Sequence, residues 1–163
     1  MKTLIIYGSR KGCTERCARR LMEEIILAGN SCCEVINAKQ AKQQRVAQYE
    51  HVIIGSSIWA GKIHPAVRRF IIRYGKIPPA QRIGLFLCSG EEDPGYFTRN
   101  YPRAVIDQTK ERRFFGGELI IENFNPLMKY LLRKKAGVTE SYQRIRDDDI
   151  RAFARSWIAG GGQ

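Results

Sequence analysis

The stretch that decides the fold is TLIIYGSRKGCT, residues 3–14. Its opening run is apolar and rich in strand-forming residues, and it predicts a short buried strand that ends at Gly8. Residues 14–26 then place apolar side chains at helical spacing, and Gly29 ends that helix. A strand that passes through a short glycine-containing turn into a helix is typical of the first unit of an α/β sheet.

The alternation of strand and helix continues along the chain. Further strands are predicted at 32–36, 51–55, 82–88 and 114–121, and further helices at 65–74, 96–108 and 147–158. Pro102 lies in the first turn of its helix or marks a break in it. The pattern predicts a mostly parallel sheet with helices on both faces, whose strand-to-helix loops share one edge. Because ligands bind at that edge, the loops at 8–14, 56–64 and 89–97 are candidates for a site.

Length and composition limit the classes of protein to which this chain can belong. The 163 residues fit one domain, and we expect a single domain at 1–159 and a flexible tail at 160–163. Since no apolar run approaches ~18 residues and the start does not fit a signal peptide, we expect a cytoplasmic protein. Lys plus Arg is 28 against 16 for Asp plus Glu, so the charge of +12 favours anionic partners. No RNA- or DNA-binding motif occurs, and no nucleic-acid partner is expected.

The five cysteines have no disulfide-framework spacing, and we expect reduced thiols. Cys13 and Cys17 stand one helical turn apart, as two metal ligands would. Because no second pair has zinc-site spacing, no metal site is predicted. Cys13 also lies at a helix N-terminus, a position that tends to lower a thiol pKa.

The first loop has the composition of a phosphate site: hydroxyls, a flexible glycine, cations and the N–H groups of a helix start. The candidate phosphate ligands are Ser9, Arg10, Lys11, Gly12, Cys13 and Thr14. The loop matches neither the Walker A nor the GxGxxG pattern. The alternative is an ordinary turn in which Thr14 is only the helix N-cap.

The second and third loops suit a flat heterocycle, since they offer small residues and aromatic rings. The candidates are Ser57, Ile58, Trp59, Ala60, Gly61, Ser89, Gly90 and Tyr96. Trp59 is alternatively a packing residue. His64 is either a substrate-binding or catalytic residue or a neighbour of the helix cap before Pro65.

A late segment, 127–135, alternates apolar and basic residues. As a helix it would either lie on an anionic membrane surface, at roughly 1 kcal/mol per basic residue, or face the core with a solvated rim.

The three loops together resemble the flavodoxin family. Ser9, Gly12 and Thr14 match its phosphate-binding loop after the first strand, and Lys11 replaces a threonine of that loop. The resemblance implies a flavodoxin-like three-layer sandwich, with a five-stranded parallel sheet of order 2-1-3-4-5 and helices on both faces. It also implies FMN as cofactor, with the phosphate at 9–14 and the isoalloxazine ring between 57–61 and 89–96.

A narrower resemblance is to the bacterial flavodoxin-type, quinone-dependent protoporphyrinogen oxidases. It rests on residues 2–14, 52–64, 115–119 and 125–135. It implies an FMN-dependent oxidoreductase of heme biosynthesis that oxidises protoporphyrinogen IX, passes electrons to a quinone and contacts the inner face of the cell membrane. Those oxidases carry a longer basic insertion where this chain has the compact 91–95. The alternative is therefore a flavodoxin-type electron carrier between redox proteins.

Overall fold

The computed structural model describes residues 2–30, 32–74 and 81–161. Its strands are β1 (Lys2–Gly8), β2 (Cys32–Asn37), β3 (His51–Trp59), β4 (Lys62–Ile63), β5 (Arg82–Cys88), β6 (Thr109–Phe114), β7 (Gly116–Leu119) and β8 (Tyr142–Ile145). Its helices are α1 (Cys13–Leu27), α2 (Gln43–Val46), α3 (Pro65–Arg73), α4 (Gly95–Asn100), α5 (Arg103–Gln108), α6 (Pro126–Ala136) and α7 (Asp147–Ala159). A 3-10 turn covers Ile121–Asn123.

Five strands form a parallel sheet in the order β2-β1-β3-β5-β6. Counted over the parallel strands alone, this is the predicted order 2-1-3-4-5, so the predicted fold is confirmed. The ends of β1, β3 and β5 lie side by side, because Gly8 pairs with Ser56 and Ser57 pairs with Cys88. The register thus brings the three candidate loops to one edge of the sheet.

The sheet is buried on both faces, which explains the continuous apolar run in β1. Leu4 and Ile6 belong to an apolar cluster that includes Val67 of α3. Ile5 belongs to a second cluster with Leu21 of α1 and Trp157 of α7. Since successive residues of a strand point to opposite faces, one sequence run supplies both cores.

The second candidate loop, 56–64, is largely strand. β3 continues to Trp59, and β4 pairs antiparallel with it through Ile58–Ile63 and Trp59–Lys62. The predicted helix at 96–108 is two helices, α4 and α5, and Pro102 marks the break between them. The short helix α2 was not predicted from its polar sequence.

The segment 114–121 contains a strand, as predicted, but it is not the fifth strand of the parallel sheet. The fifth parallel strand is β6, whose four consecutive charged residues, 110–113, suit a strand at the edge of the sheet. Gly116 has a φ of +76°, and the chain turns there into β7, which pairs antiparallel with β8 outside the sheet. The apolar residues of 114–121 belong to two different sheets, and for this reason their composition does not show where the fifth parallel strand ends.

The end of the chain continues the last helix. The N–H groups of Gly160 and Gly161 donate to the carbonyls of Ser156 and Ile158, both at 3.1 Å. Residues 162–163 of the expected flexible tail lie outside the described residues. Within the described ranges, no helix combines the length and the apolar character needed to cross a bilayer.

Candidate functional site

The loop between β1 and α1 is shaped by Gly12. Gly12 is the N-cap of α1 and has a φ of +93°, a conformation that L side chains rarely adopt. Its N–H donates to Ser9 Oγ at 3.0 Å, and its carbonyl accepts the first helical hydrogen bond from the Arg16 N–H at 3.0 Å. The next N–H groups of a helix start have no helical partner, so this turn offers donors to an anion.

Thr14 is the second residue of α1 and is fully buried. Its Oγ1 has no hydrogen-bond partner among the described residues. The alternative in which Thr14 caps the helix is wrong, because the N-cap is Gly12. A buried hydroxyl without a partner costs about 1–3 kcal/mol, so this orphaned donor indicates a missing acceptor. A phosphate oxygen is such an acceptor.

A cavity of about 770 Å³ lies at the carboxyl edge of the sheet, within the size range of cofactor sites. Of the candidates from the first loop, it is lined by Ser9, Arg10, Lys11, Cys13 and Thr14. Of the candidates from the second and third, it is lined by Ser57, Ile58, Trp59, Ala60, Gly61, Ser89, Gly90 and Tyr96. Gly12 does not occur among the described residues that line it, although it shapes the turn.

Two cations and two aromatic rings pack against one another beside the first loop. The Arg10 guanidinium lies 5.1 Å from the centroid of the Trp59 ring, and the Lys11 ammonium lies 4.9 Å from that of Phe124. The two rings stack with centroids 5.8 Å apart. Lys11 Nζ also donates to the carbonyl of Asn123 at 3.1 Å. These contacts keep two positive charges beside the loop, where an anion would bind.

The third loop is ordered by its own acidic residues. The Tyr96 hydroxyl donates to Glu91 at 2.8 Å, and this carboxylate raises the pKa of Tyr96. Asp93 Oδ1 accepts from the Gly95 N–H at 2.8 Å. Asn100 Nδ2 donates to the carbonyls of Gly61 and Tyr96, both at 2.9 Å. The acidic run therefore builds the loop, and Asn100 ties that loop to the β3–β4 hairpin.

His64 does not occur among the described residues that line the cavity. Its Nδ1 accepts from the Ala66 N–H at 3.2 Å, and its own N–H donates to Ser56 Oγ at 2.8 Å. Burial, with a contribution from Arg10, lowers the pKa of His64. Of the two interpretations of His64, the structure supports the helix cap: it is the N-cap of α3.

One wall of the cavity was missed by the sequence analysis. It is formed by β7, β8 and α6, and it contains Gly117, Glu118, Leu119, Phe124, Met128, Leu131, Leu132, Lys135, Val138, Tyr142 and Arg144. The signal was present in the amphipathic pattern of 127–135, which neither interpretation assigned to a ligand cavity. Leu127 and Tyr130 remain 68% and 54% exposed, so α6 also keeps an apolar outer face.

The β3–β4 turn carries backbone strain at Ala60, which has a φ of +49°. A left-handed alanine costs about 1–2 kcal/mol, which exceeds the extra conformational entropy that glycine loses on folding. We expect Ala60→Gly to raise the free energy of unfolding by about 0.5–1 kcal/mol, measured by urea denaturation. Ala152→Gly, within α7, is the control and should lower it by about 1 kcal/mol. Equal losses in both variants would contradict the strain at Ala60.

Three of the five cysteines meet beside the first loop. The sulfur atoms of Cys13, Cys17 and Cys88 lie within 4.8 Å of one another. Hydrogen bonds from the Cys17 and Cys88 thiols lower the pKa of the Cys13 thiol. The same contacts and burial raise the pKa of Cys17 and Cys88. The sequence analysis recognised Cys13 and Cys17 as a pair but not Cys88, which only the fold brings to them.

Comparison with known proteins shows which family this chain resembles. A family model described as "Flavodoxin domain" matches residues 4–145. Protoporphyrinogen IX dehydrogenase [quinone] of Escherichia coli K12 is 32% identical over 74 residues, which cover 45% of this chain and 40% of the relative. The chain thus matches less than half the length of that relative. The protein of the same name from Leishmania major is 23% identical over 97% of this chain and 75% of its own length.

Solved structures agree with the fold. The flavodoxin of Streptococcus pneumoniae TIGR4 superposes with a TM-score of 0.66 at 12% identity, covering 98% of this chain and 99% of that one. Oxidised Flavodoxin 2 of Bacillus cereus superposes with the same TM-score at 15% identity and the same coverage. At such identities the likeness concerns the fold.

Proposed function

Since this chain belongs to the flavodoxin domain family, we propose that it binds FMN in the 770 Å³ cavity and acts as an FMN-dependent oxidoreductase. The observation that carries the proposal is the buried Thr14 hydroxyl, which lacks an acceptor at the place where the phosphate would bind. FMN would accept and donate the electrons of the reaction, while the protein binds and orients it.

The first loop would hold the phosphate by three kinds of interaction. The Thr14 hydroxyl would donate to a phosphate oxygen, and the free N–H groups at the start of α1 would donate alongside it. Arg10 and Lys11 add positive charge at the mouth of the loop. Because hydrogen bonds to charged groups are worth about 1.5–3 kcal/mol, the phosphate should contribute strongly to affinity.

The β3–β4 turn and the third loop would flank the flavin ring. Trp59 is braced by Phe124, and Tyr96 is held by Glu91. Both rings therefore keep their orientation without the ligand, which lowers the ordering cost of binding. Leu131 and Leu132 of α6 also line the cavity, where their apolar side chains would exclude water from the flavin.

For the substrate, we propose protoporphyrinogen IX, oxidised with a quinone as electron acceptor. Support comes from the names of the two relatives and from the residue blocks shared with such oxidases. Lys135 and Arg144 line the cavity on the α6 and β8 side, where they would pair with the carboxylates of a porphyrinogen. Peripheral membrane contact through α6 stays a prediction, because the helix exposes Leu127 and Tyr130 and carries basic residues in its last turn, and quinones reside in membranes.

A flavodoxin-type electron carrier is the second candidate. The segment 91–95 favours it, because this compact turn is closed by Asp93 and Tyr96 and takes the place of the basic insertion of the oxidases. The net charge of +12 favours the oxidase, because a carrier of this type generally presents an acidic face to its partners.

The cofactor proposal is tested by titrating the flavin-free protein with FMN and with riboflavin while following flavin fluorescence. We expect FMN to bind at least about 100-fold more tightly, since riboflavin lacks the phosphate that the first loop would bind. Equal affinities, or no binding of either flavin, would contradict the proposed phosphate site.

The substrate proposal is tested with the FMN-loaded protein, protoporphyrinogen IX and menadione. Porphyrin formation above the spontaneous rate, followed by its fluorescence, is the expected result. Tight FMN binding without turnover would reject the oxidase and leave the electron carrier, so the two tests separate cofactor from substrate.

A further inference from the structure

The three-cysteine cluster is formed by two elements that are distant in sequence. Cys13 and Cys17 occupy the first and fifth positions of α1, and Cys88 is the last residue of β5. Every pair of their sulfur atoms lies within 4.8 Å. The other two cysteines, Cys32 and Cys33, open β2 at the opposite edge of the sheet and do not join the cluster.

The spacing of the sulfur atoms is close to that of a mononuclear metal site. A Zn–S bond of about 2.3 Å puts sulfur ligands about 3.8–4.0 Å apart in tetrahedral or trigonal arrangement. From separations of at most 4.8 Å, the three sulfur atoms reach that spacing by moving less than about 1 Å each. Rotation about the Cα–Cβ bonds provides such shifts without moving the backbone.

The surroundings suit a soft cation. Cys17 and Cys88 are 1% and 5% exposed, and both belong to an apolar cluster with Phe86 and Phe115. On the side of Cys17 and Cys88 the apolar side chains of this cluster offer no oxygen ligands, and on the side of Cys13 the Glu118 carboxylate is ion-paired with Arg16. The Cys13 sulfur accepts hydrogen bonds from both neighbouring thiols, so the three sulfur atoms already face one another.

A path to the cluster exists. Cys13 and Cys88 line the 770 Å³ cavity, so an ion entering from solvent meets two of the three sulfur atoms. Arg16, which is ion-paired with Glu118, also lies near the Cys13 sulfur. The start of α1 adds the positive end of its dipole, so part of the charge of the thiolates is already compensated.

We propose that Cys13, Cys17 and Cys88 bind one thiophilic metal cation with a filled d shell, of the Cu(I) and Zn(II) class. Thiolate ligands select these ions over hard cations such as Mg²⁺ and Ca²⁺. Cu(I) would be held by the three sulfur atoms alone. Zn(II) would take a water from the cavity side as its fourth ligand. Each bond forms as a thiol proton passes to solvent, and no electron is transferred. The site adjoins the cavity proposed for FMN, which Cys13 and Cys88 also line, but metal binding does not require the flavin.

The test is a titration of the reduced protein with Cd(II), a spectroscopic substitute for Zn(II), and with Cu(I), each followed by thiolate-to-metal ultraviolet absorption. The bound metal is then counted after dialysis. We expect one ion per chain to be retained in at least one titration. The double variant Cys32→Ser/Cys33→Ser is the control and should retain the ion.

Two further variants locate the ligands. Cys17→Ser should weaken binding by more than about 100-fold, since even removing a group behind a metal ligand costs about 10–100-fold. Cys13→Ser, at the half-buried member of the cluster, should do the same and serves if Cys17→Ser fails to fold. Retention of neither ion by the parent protein would overturn the proposal. So would loss of the ion in the Cys32/Cys33 control, or its full retention by folded Cys13→Ser.

Discussion

Gly116→Ala is expected to lower the free energy of unfolding by about 4 kcal/mol, near the upper end for single substitutions. An added Cβ would lie 1.7 Å from the carbonyl oxygen of Arg144, which is backbone and cannot rotate away. The φ of +76° at Gly116 adds about 1–2 kcal/mol of left-handed strain. Urea denaturation of the purified variant measures the loss.

The same substitution should also weaken FMN binding. The Gly116 carbonyl accepts from the Ser89 N–H at 2.8 Å, and this bond ties β7 to the third loop. Displacing the β7–β8 pair would shift Gly117 and Tyr142, which line the cavity. We therefore expect both stability and affinity to fall in this variant.

Gly137→Ala is the matched control for this prediction. Gly137 also has a positive φ, +63°, but an added Cβ there has nothing within 4 Å. Only the strain of the left-handed backbone remains, so we expect the free energy of unfolding to fall by about 1 kcal/mol. If the two variants were equally stable, the close approach of β7 and β8 would not explain why glycine is required at position 116.

Thr14→Val is expected to weaken FMN binding by about 10- to 100-fold. Valine keeps the shape of threonine and lacks only the hydroxyl. The FMN complex of the variant would therefore lose one charge-assisted hydrogen bond, worth about 1.5–3 kcal/mol. Because the Thr14 hydroxyl has no hydrogen-bond partner among the described residues, the variant without flavin should be at least as stable as the parent. The result would thus separate binding from folding.

The measurement is a fluorescence titration of each variant with FMN and with riboflavin. Riboflavin affinity should not change, since riboflavin has no phosphate to lose. Thr14→Ser keeps the hydroxyl and should bind FMN within a few-fold of the parent. Thr98→Val, at an exposed position of α4, is the control for a threonine outside the cavity. An unchanged FMN affinity in Thr14→Val would contradict the phosphate contact.

Much of the fold could be predicted because its elements are set by short-range spacing. The alternation of apolar runs, glycines and helical stripes predicts β1, α1, β5 and α7 to within two residues at either end. The prediction failed at 114–121, because the charged residues of β6 and the Gly116-Gly117 pair do not by themselves show which strand joins the parallel sheet and which leaves it.

The candidate site divides in the same way. The three loops could be predicted because parallel strands with right-handed crossovers place their loops at one edge. The wall formed by α6, β7 and β8 could not, because its position depends on contacts such as that between Ser89 and Gly116. The amphipathic pattern of α6 shows that it has an apolar face and leaves open what that face covers.

The sequence by itself determined the α/β alternation, the glycine turn before α1, the positive charge and the likeness to flavodoxins. Only the tertiary structure decided that Thr14 is buried with no hydrogen-bond partner in the described part of the chain, that α6 lines the cavity, and that Cys88 meets Cys13 and Cys17. The physical reason is the range of the interactions. Periodicity and turn chemistry act over a few residues, whereas strand register and packing bring together side chains that are far apart along the chain.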